Sequence, residues 1–225
     1  MLVAVIPARG GSRGIASKNL QEVGGRSLLA RTITTASDVA DVVVVSTDDS
    51  AIAAEAVAYG AKVVDRPPDL AGDEVTSEDV LLDVLAEVGA GEWFLFLQCT
   101  SPFLTHEDLE RVAAPVRHGT ADVAFAAAEF HGHVWGKRGR RVIDGVNFDP
   151  RAGATPPRQE RPPQWIETGA AYALRTVLFE RLGRRFFGRI VAVECETWRG
   201  LDIDTPADLA VARALAPMMD GAAGE

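Results

Sequence analysis

The stretch "AVIPARGGSRGIASKN", residues 4 to 19, carries an apolar run directly into a glycine-rich, positively charged loop. The glycines and cations of this loop are Gly10, Gly11, Gly14, Arg9, Arg13 and Lys18. Open α/β sheets bind their ligands at the carboxyl ends of their strands, so such a loop after a first strand predicts both that fold and an anion site. The stretch matches neither GxGxxG nor GxxxxGK[ST], so neither fingerprint names the ligand.

Each residue type in the loop can contribute to the binding of a phosphate. Glycines let main-chain N–H groups approach and surround an anion. Arginine binds phosphate through forked hydrogen bonds, and lysine acts as a point charge. The alternative is a flexible surface loop with incidental charge. Three cations among glycines at the end of a strand favour a polyphosphate site over that alternative.

The rest of the chain repeats the pattern of strand followed by helix. Continuous β-branched runs indicate strands that are covered on both faces, as in a parallel sheet. These runs are Leu2–Ile6, Val42–Val45, Ala61–Val64, Trp93–Leu97 and Val123–Ala127. Segments with helical spacing lie between them, so we predict right-handed βαβ units in a doubly wound, mostly parallel α/β sheet.

Composition limits the classes of function. The 225 residues predict one domain, 1–217, with a flexible tail at 218–225. A net charge of −9 argues against a nucleic-acid partner. No apolar run approaches the roughly 20 residues of a membrane span. Cys99 and Cys195 have no metal or CxxC spacing and are interpreted as reduced thiols. We therefore expect a cytoplasmic protein that contacts no membrane.

The periodicity weakens in an excursion at about 130–166. The segment "GKRGRRVIDGVNFDPRAG" predicts a hairpin, with Asp144–Gly145 as its turn. The following "TPPRQERPPQW" has four prolines and can form neither a helix nor a central strand. A long irregular excursion in an α/β domain is typical of a lid, a binding loop or an oligomerisation arm.

A second motif, "GLDIDTPADL", occupies residues 200–209. Asp202 and Asp204 alternate along an extended segment, so both carboxylates project from one face. Paired carboxylates repel each other, and a hard cation such as Mg²⁺ relieves that repulsion. The alternative is one capping and one solvent-facing aspartate before a helix that starts with Thr205 as N-cap and Pro206 in its first position.

The chain resembles the acylneuraminate cytidylyltransferases, or CMP-sialic acid synthetases. The motifs that carry the resemblance, in order and spacing, are "IPARGGSRGIASKN", "VSTDD", "LQCTSPF", "ETGAAYAL" and "DIDTPADL". The resemblance extends from about Leu2 to Leu215. It implies a Rossmann-like nucleotidyltransferase fold with a β-rich arm that forms a homodimer. It also implies CTP and Mg²⁺, attack of an acceptor hydroxyl on the α-phosphate, and release of pyrophosphate.

Matching motif to motif assigns roles that the resemblance implies. The nucleotide-binding residues would be Ala8, Arg9, Gly10, Gly11, Ser12, Arg13, Lys18, Asn19 and Ser77. The catalytic residues would be Arg9, Lys18, Asp202 and Asp204, of which the two aspartates would hold Mg²⁺. The acceptor-binding residues would be Gln98, Thr100, Arg158, Glu167, Thr168 and Tyr172.

The acceptor motifs depart from the family pattern. Cys99 replaces the proline of "LQPTSPLR", and "IETGAAY" stands where the family commonly reads "RPNGAIY". An acidic acceptor is expected, either a sialic-acid-like nonulosonic acid or a small phosphonate such as phosphonoformate. Use of UTP, GTP or dTTP, and a nucleotide-binding protein that has lost catalysis, are the remaining alternatives.

Overall fold

The computed structural model describes residues 1–12, 14–138, 141–149, 151, 153 and 157–222. The strands are β1 (Val3–Pro7), β2 (Glu22–Val23), β3 (Arg26–Ser27), β4 (Val42–Thr47), β5 (Lys62–Asp65), β6 (Trp93–Leu97), β7 (Val123–Glu129), β8 (Trp135–Arg138), β9 (Arg141–Gly145), β10 (Trp165–Arg175) and β11 (Ile190–Cys195). The helices are α1 (Leu28–Ser37), α2 (Ser50–Ala58), α3 (Ser77–Val88), α4 (His106–Arg117), α5 (Thr176–Leu182) and α6 (Pro206–Ala222).

The main sheet has the strand order β11-β7-β10-β6-β1-β4-β5. The pairs β1–β4, β4–β5, β1–β6 and β7–β11 are parallel, and β10 runs antiparallel to β6 and β7. The predicted mostly parallel α/β fold is therefore confirmed. From β1 the chain continues to β4 and β5 on one side and returns to β6 on the other. That reversal places a crevice at the carboxyl ends of β1 and β6.

Both faces of the sheet are buried, which explains the unbroken apolar runs. In β1, Ala4 and Ile6 join the cluster formed with α1, α4 and α6, and Val3 and Val5 join the cluster formed with α3 and α5. Helices therefore cover each face of a central sheet. The strands hold their register because a shift of one residue would exchange the two faces.

The excursion contains the predicted hairpin, but the predicted turn is wrong. Trp135 pairs with Gly145, and Gly136 pairs with Asp144, so Asp144 and Gly145 belong to β9. Arg138 pairs with Arg141, so the chain reverses between these two residues; residues 139–140 lie outside the described residues. A Cβ at Gly145 would overlap Phe148, so this glycine permits a close backbone approach and does not form the turn.

The last helix continues through Ala222 and so includes residues 218–222 of the segment 218–225 that the sequence analysis describes as a tail. Arg31 of α1 holds this end through Asp220, with one hydrogen bond of 2.9 Å and a second of 2.5 Å. The N-terminus of α6 is as predicted, because the hydroxyl of Thr205 accepts the Asp208 N–H at 3.3 Å. Among the helices of the described residues, none is long and apolar enough to cross a membrane.

Candidate active site

A cavity of about 290 Å³ opens at the carboxyl ends of the strands, at the point where the strand order reverses. The loop after β1, the residues after β6 and the N-terminus of α3 line it together. Of the predicted site residues, the ones that line it are Arg9, Gly11, Ser12, Lys18, Asn19, Ser77, Gln98 and Thr100. Parallel strands that end at one edge bring these separate segments to one place.

The loop after β1 is held by hydrogen bonds from both sides. The buried Ala8 donates its N–H to Ser46 at 2.9 Å, which extends the pairing of β1 with β4. Gly10 donates its N–H to Asp48 at 2.9 Å. Asn19 donates from its side chain to the Arg9 carbonyl at 3.1 Å. Ala8 and Gly10 therefore use their backbone donors within the protein.

Arg9 extends across the cavity to the segment before α3. Its guanidinium forms an ion pair of 2.7 Å with Asp73 and donates to the Gly72 carbonyl at 3.3 Å. The guanidinium is partly exposed, so a phosphate entering the cavity would compete with Asp73 for it. Arg13, predicted to act beside Arg9, lies outside the described residues.

Lys18 joins the first motif to the last. Its Nζ donates to the Ile203 carbonyl at 3.0 Å and to Asp204 Oδ1 at 3.1 Å. The Ile203 N–H donates to the Thr100 carbonyl at 2.9 Å. A Cβ at Gly14 would overlap the Asp204 carbonyl oxygen, so only glycine permits this approach. Residues nearly 190 positions apart thus form one site, with the Lys18 amino group beside the aspartate pair.

The two aspartates fit a divalent cation. Desolvation and the negative charge of Asp204 raise the pKa of Asp202, although a hydrogen bond from Thr100 opposes this rise. The Asp204 side chain is 70% exposed and open to a ligand. Among the described residues no group of three or more His, Cys, Asp or Glu is placed to hold a metal. Mg²⁺ usually binds through one or two carboxylates plus substrate phosphates, so two carboxylates suffice.

Arg66 is a residue of the cavity that the sequence analysis missed. It follows β5 directly and is buried, with its Nη2 donating to the Ser46 carbonyl at 2.8 Å. Burial lowers the pKa of Arg66, and the carboxylate of Asp48 opposes this shift. A charged residue immediately after a buried strand, at the same edge as the glycine-rich loop, was the signal that could have identified it.

The residues predicted to bind the acceptor fall into different places. Gln98 and Thr100 line the cavity, and the Oε1 of Gln98 is 3.0 Å from where a Cβ on Gly169 would lie. Thr168 is buried and donates its hydroxyl to the Ala126 carbonyl at 3.0 Å. Tyr172 is also buried, and its hydroxyl donates to Glu167 and accepts from Arg185 at 3.0 Å.

Glu167, Thr168 and Tyr172 do not line this cavity, and Arg158 lies at a different one. It lines a separate cavity of about 690 Å³ within the excursion, together with His131, His133 and Arg161. The guanidinium of Arg161 contacts His133 Nε2 at 2.9 Å and donates to the His131 carbonyl at 3.1 Å.

Neither cysteine is suited to nucleophilic chemistry. Cys99 and Cys195 are both buried and free of disulfides, and Cys99 lines the 290 Å³ cavity. Burial raises the pKa of each thiol to about 12. Because the thiolate is the nucleophile, both side chains are inert at neutral pH.

Comparisons with known proteins bear on the family of the chain. A family model described as cytidylyltransferase matches residues 3–135. N-acylneuraminate cytidylyltransferase A of Danio rerio is 31% identical over 93% of this chain and 49% of its own length. The N-acylneuraminate cytidylyltransferase of Streptococcus agalactiae is 28% identical over 92% of this chain and 51% of its own length. The chain thus spans about half the length of the curated relatives it matches.

A solved structure has the same fold. It is a CMP:2-keto-3-deoxy-manno-octonic acid synthetase complexed with CTP, with a TM-score of 0.73 and 23% identity. The match covers 96% of this chain and 98% of that one. At this identity the likeness concerns the fold, a nucleotidyltransferase arrangement of sheet and helices.

Proposed function

The chain belongs to the cytidylyltransferase family, and from this we propose that it transfers CMP from CTP to the hydroxyl of an acidic acceptor. The second product is pyrophosphate, and Mg²⁺ is the cofactor. The observation that carries the proposal is the contact of Lys18, which lines the cavity, with Asp204 at 3.1 Å, because this contact holds the aspartate segment against the glycine-rich loop.

Transfer of CMP to a hydroxyl depends mainly on positioning the reactants and neutralising charge, and it needs little covalent catalysis by the protein. Arg9 and Lys18 bind the triphosphate and neutralise charge that builds up on it during the transfer. Arg66 adds a third, buried positive charge to the same cavity. Asp202 and Asp204 would hold Mg²⁺, which when bound would supply electrophilic stabilisation of the phosphate oxygens. Gln98 and Thr100 orient the acceptor at the carboxyl end of β6.

The acceptor is proposed to be a nonulosonic acid. Support comes from the relatives named N-acylneuraminate cytidylyltransferase and from the placement of Gln98 beside Gly169. A homodimer through the excursion, and action in the cytoplasm, belong to the same proposal. Exposed apolar residues of the excursion and its base, among them Trp135, Trp165 and Ile166, support the dimer, and the two disulfide-free cysteines support a reducing compartment.

The nucleotide half of the proposal is tested by pyrophosphate release. Each of CTP, UTP, GTP and dTTP is incubated with a panel of acidic acceptors, with Mg²⁺ or with excess EDTA. We expect release with CTP and Mg²⁺ and its loss in EDTA. Equal turnover with all four nucleotides would reject the cytidine preference, and full activity in EDTA would reject the metal.

Arg9→Ala tests the loop directly. We expect weaker CTP binding and slower turnover, because the variant removes a cation that faces the triphosphate. Calorimetry with CTP and Mg²⁺ measures the affinity. Arg181→Ala, which removes an exposed arginine of α5, is the matched control. An unchanged CTP affinity in Arg9→Ala would mean that this residue does not bind the nucleotide.

A further inference from the structure

We propose that Glu167 determines acceptor specificity and selects an acceptor that presents a hydroxyl or ammonium group, and disfavours one with a second anion. Tyr172, Arg185 and Glu78 act as positioning residues that hold the Glu167 carboxylate in place. The inference rests on the proposed function and deepens it, since it distinguishes a sugar acid from a small phosphonate as acceptor.

A β-bulge brings Glu167 and Tyr172 together. Glu167 pairs with Ala127 and Tyr172 pairs with Phe125, so residues 168–171 of β10 face the single residue Ala126 of β7. In a regular strand two residues five positions apart point to opposite faces. The bulge cancels this alternation, and the Tyr172 hydroxyl donates to Glu167 Oε1. Bulges that re-aim a side chain in this way are common next to active sites.

Arg185 completes the network from another element. Its guanidinium lies 4.7 Å from the centre of the Tyr172 ring and 5.2 Å from the centre of the Phe96 ring. Its Nε donates to Glu78 at 3.1 Å, and its Nη1 donates to the Tyr172 hydroxyl at 3.0 Å and lies 3.6 Å from Glu167 Oε1. Both contacts that Glu167 makes with the described residues use Oε1, so Oε2 is the oxygen that can accept from a ligand.

The net charge of the network predicts which chemical groups of a ligand the Oε2 atom of Glu167 attracts. Glu78 and Glu167 carry two negative charges, and Arg185 carries one positive charge, so the group keeps an excess negative charge. Glu78 is the more enclosed carboxylate, with a side chain 19% exposed, and Glu167 is 40% exposed. The excess charge therefore faces solvent at Glu167. It attracts a hydrogen-bond donor or a cation and repels a dianion.

The segments that carry the network lie beside residues of the nucleotide cavity. Glu78 follows Ser77, which lines the cavity at the start of α3. Gly169, within the bulge, lies against the side chain of Gln98, which also lines the cavity. A ligand that contacts Gln98 beside the nucleotide is therefore next to the strand segment that carries Glu167.

Binding measurements test the inference without requiring turnover. The protein is loaded with Mg²⁺ and a CTP analogue whose α–β bridge cannot be cleaved, and three probes are titrated by calorimetry. The probes are N-acetylneuraminic acid, an analogue in which one hydroxyl is replaced by an amine, and phosphonoformate. We expect both sugar acids to bind the wild-type protein more tightly than phosphonoformate.

Two variants separate recognition from structure. Glu167→Gln should weaken binding of the amino analogue about tenfold or more, which is the size of a lost charge-assisted hydrogen bond. It should also reduce the ratio between the affinity for the sugar acids and the affinity for phosphonoformate. Tyr172→Phe keeps the buried ring but releases Glu167, and should reduce the same selectivity. Glu180→Gln, an exposed carboxylate of α5, is the control and should match the wild type.

The outcomes distinguish the inference from the function on which it rests. Unchanged selectivity in Glu167→Gln, tightest wild-type binding of phosphonoformate, or no binding of any probe to the loaded protein would overturn the inference. Each of these results would leave CTP binding in place. Failure of the CTP analogue itself to bind would overturn the proposed function and the inference together.

Discussion

Lys18 shows how much a single residue contributes to this site. Its amino group contacts both the backbone of Ile203 and the carboxylate of Asp204, so one side chain connects the first and last motifs. The side chain is only 16% exposed, whereas that of Asp204 is 70% exposed. The cation is thus held in place by the protein, while the carboxylate keeps a face that can bind a metal.

Asp204→Asn should reduce turnover by orders of magnitude and leave the fold intact. The variant removes a proposed metal ligand and with it charge stabilisation in the transition state. Because the side chain is exposed, the loss in the free energy of unfolding should be small. Pyrophosphate release at saturating Mg²⁺ measures the effect. Asp38→Asn, at the exposed end of α1, should retain wild-type activity; near-normal turnover in Asp204→Asn would reject the metal assignment.

At the scale of elements, the N-terminus of α4 positions the segment that carries the aspartates. Asp108 forms a capping box with Thr105 and is also paired with Arg111 and Arg199. Arg199 lies in the turn Thr197–Gly200, directly before Leu201–Asp204. Burial alone would raise the pKa of Asp108, but hydrogen bonds from Arg199, Thr105 and Arg111 lower it. A buried carboxylate therefore anchors the turn from which the aspartate pair extends.

Asp108→Asn should lower the free energy of unfolding by about 1.5–3 kcal/mol, because it removes the charge of a buried carboxylate that accepts hydrogen bonds from Arg111 and Arg199. Urea unfolding at neutral pH measures the loss. The lowered pKa means that this contribution is present above the ordinary value of 3.8 and disappears as the pH falls through the folded-state pKa, so the variant and the wild type should converge in acid. Asp79→Asn removes the equivalent capping box from α3, where the aspartate is exposed, and should cost about 1 kcal/mol.

The anchoring role would be contradicted if the difference in unfolding free energy between the wild type and Asp108→Asn did not change with pH. It would also be contradicted if Asp108→Asn and Asp79→Asn lost equal amounts of unfolding free energy. Both aspartates form a capping box with a threonine, and only Asp108 also has the two arginines. The difference between the variants therefore measures what burial and the two arginines add to the cap.

Gly14→Ala should separate the glycine-rich loop from the aspartate segment. The added Cβ would overlap the Asp204 carbonyl oxygen, which is backbone and cannot rotate away. We expect turnover and CTP affinity to fall much further than in Gly11→Ala, because a Cβ at Gly11 meets nothing within 4 Å. Equal effects of the two substitutions would show that the loop needs flexibility and not this contact.

On the scale of the whole molecule, the strand order determines where the site lies, and the excursion determines what surrounds it. The 290 Å³ cavity lies at the reversal of strand order beside β1 and β6, and the 690 Å³ cavity with Arg158 lies within the excursion. The apolar side chains exposed in and beside the excursion include Trp135, Trp165 and Ile166. Exposed apolar groups of this kind mark a surface for another molecule, and we propose a second copy of the chain.

Ile166→Glu should shift the protein from dimer to monomer, because it places a charge on a residue that is 52% exposed and proposed to be covered in the dimer. Sedimentation equilibrium measures the mass over a range of concentrations. Val177→Glu, at an even more exposed position on α5 outside the excursion, is the matched control and should leave the mass unchanged. A wild-type protein that stays monomeric at every concentration would reject the dimer.

Local patterns were enough to predict the elements and to single out the two motifs that meet at Lys18 and Asp204. Trp93–Leu97 is a strand with the predicted bounds, because both of its faces are buried and an unbroken apolar run is the result. The start of α6 followed from the capping chemistry of Thr205 and Pro206, which acts within one turn. Short-range sterics and hydrogen bonding decide such features, so the local sequence is enough to predict them.

The sequence by itself determined the fold class, the glycine-rich cation loop and the paired aspartates. Only the tertiary structure decided that Lys18 contacts Asp204, that Arg66 joins the cavity, that Arg158 does not, and that a bulge turns Glu167 toward Tyr172. It also moved the hairpin turn away from Asp144–Gly145. These outcomes depend on strand order and register between distant segments, which no periodicity within one segment encodes.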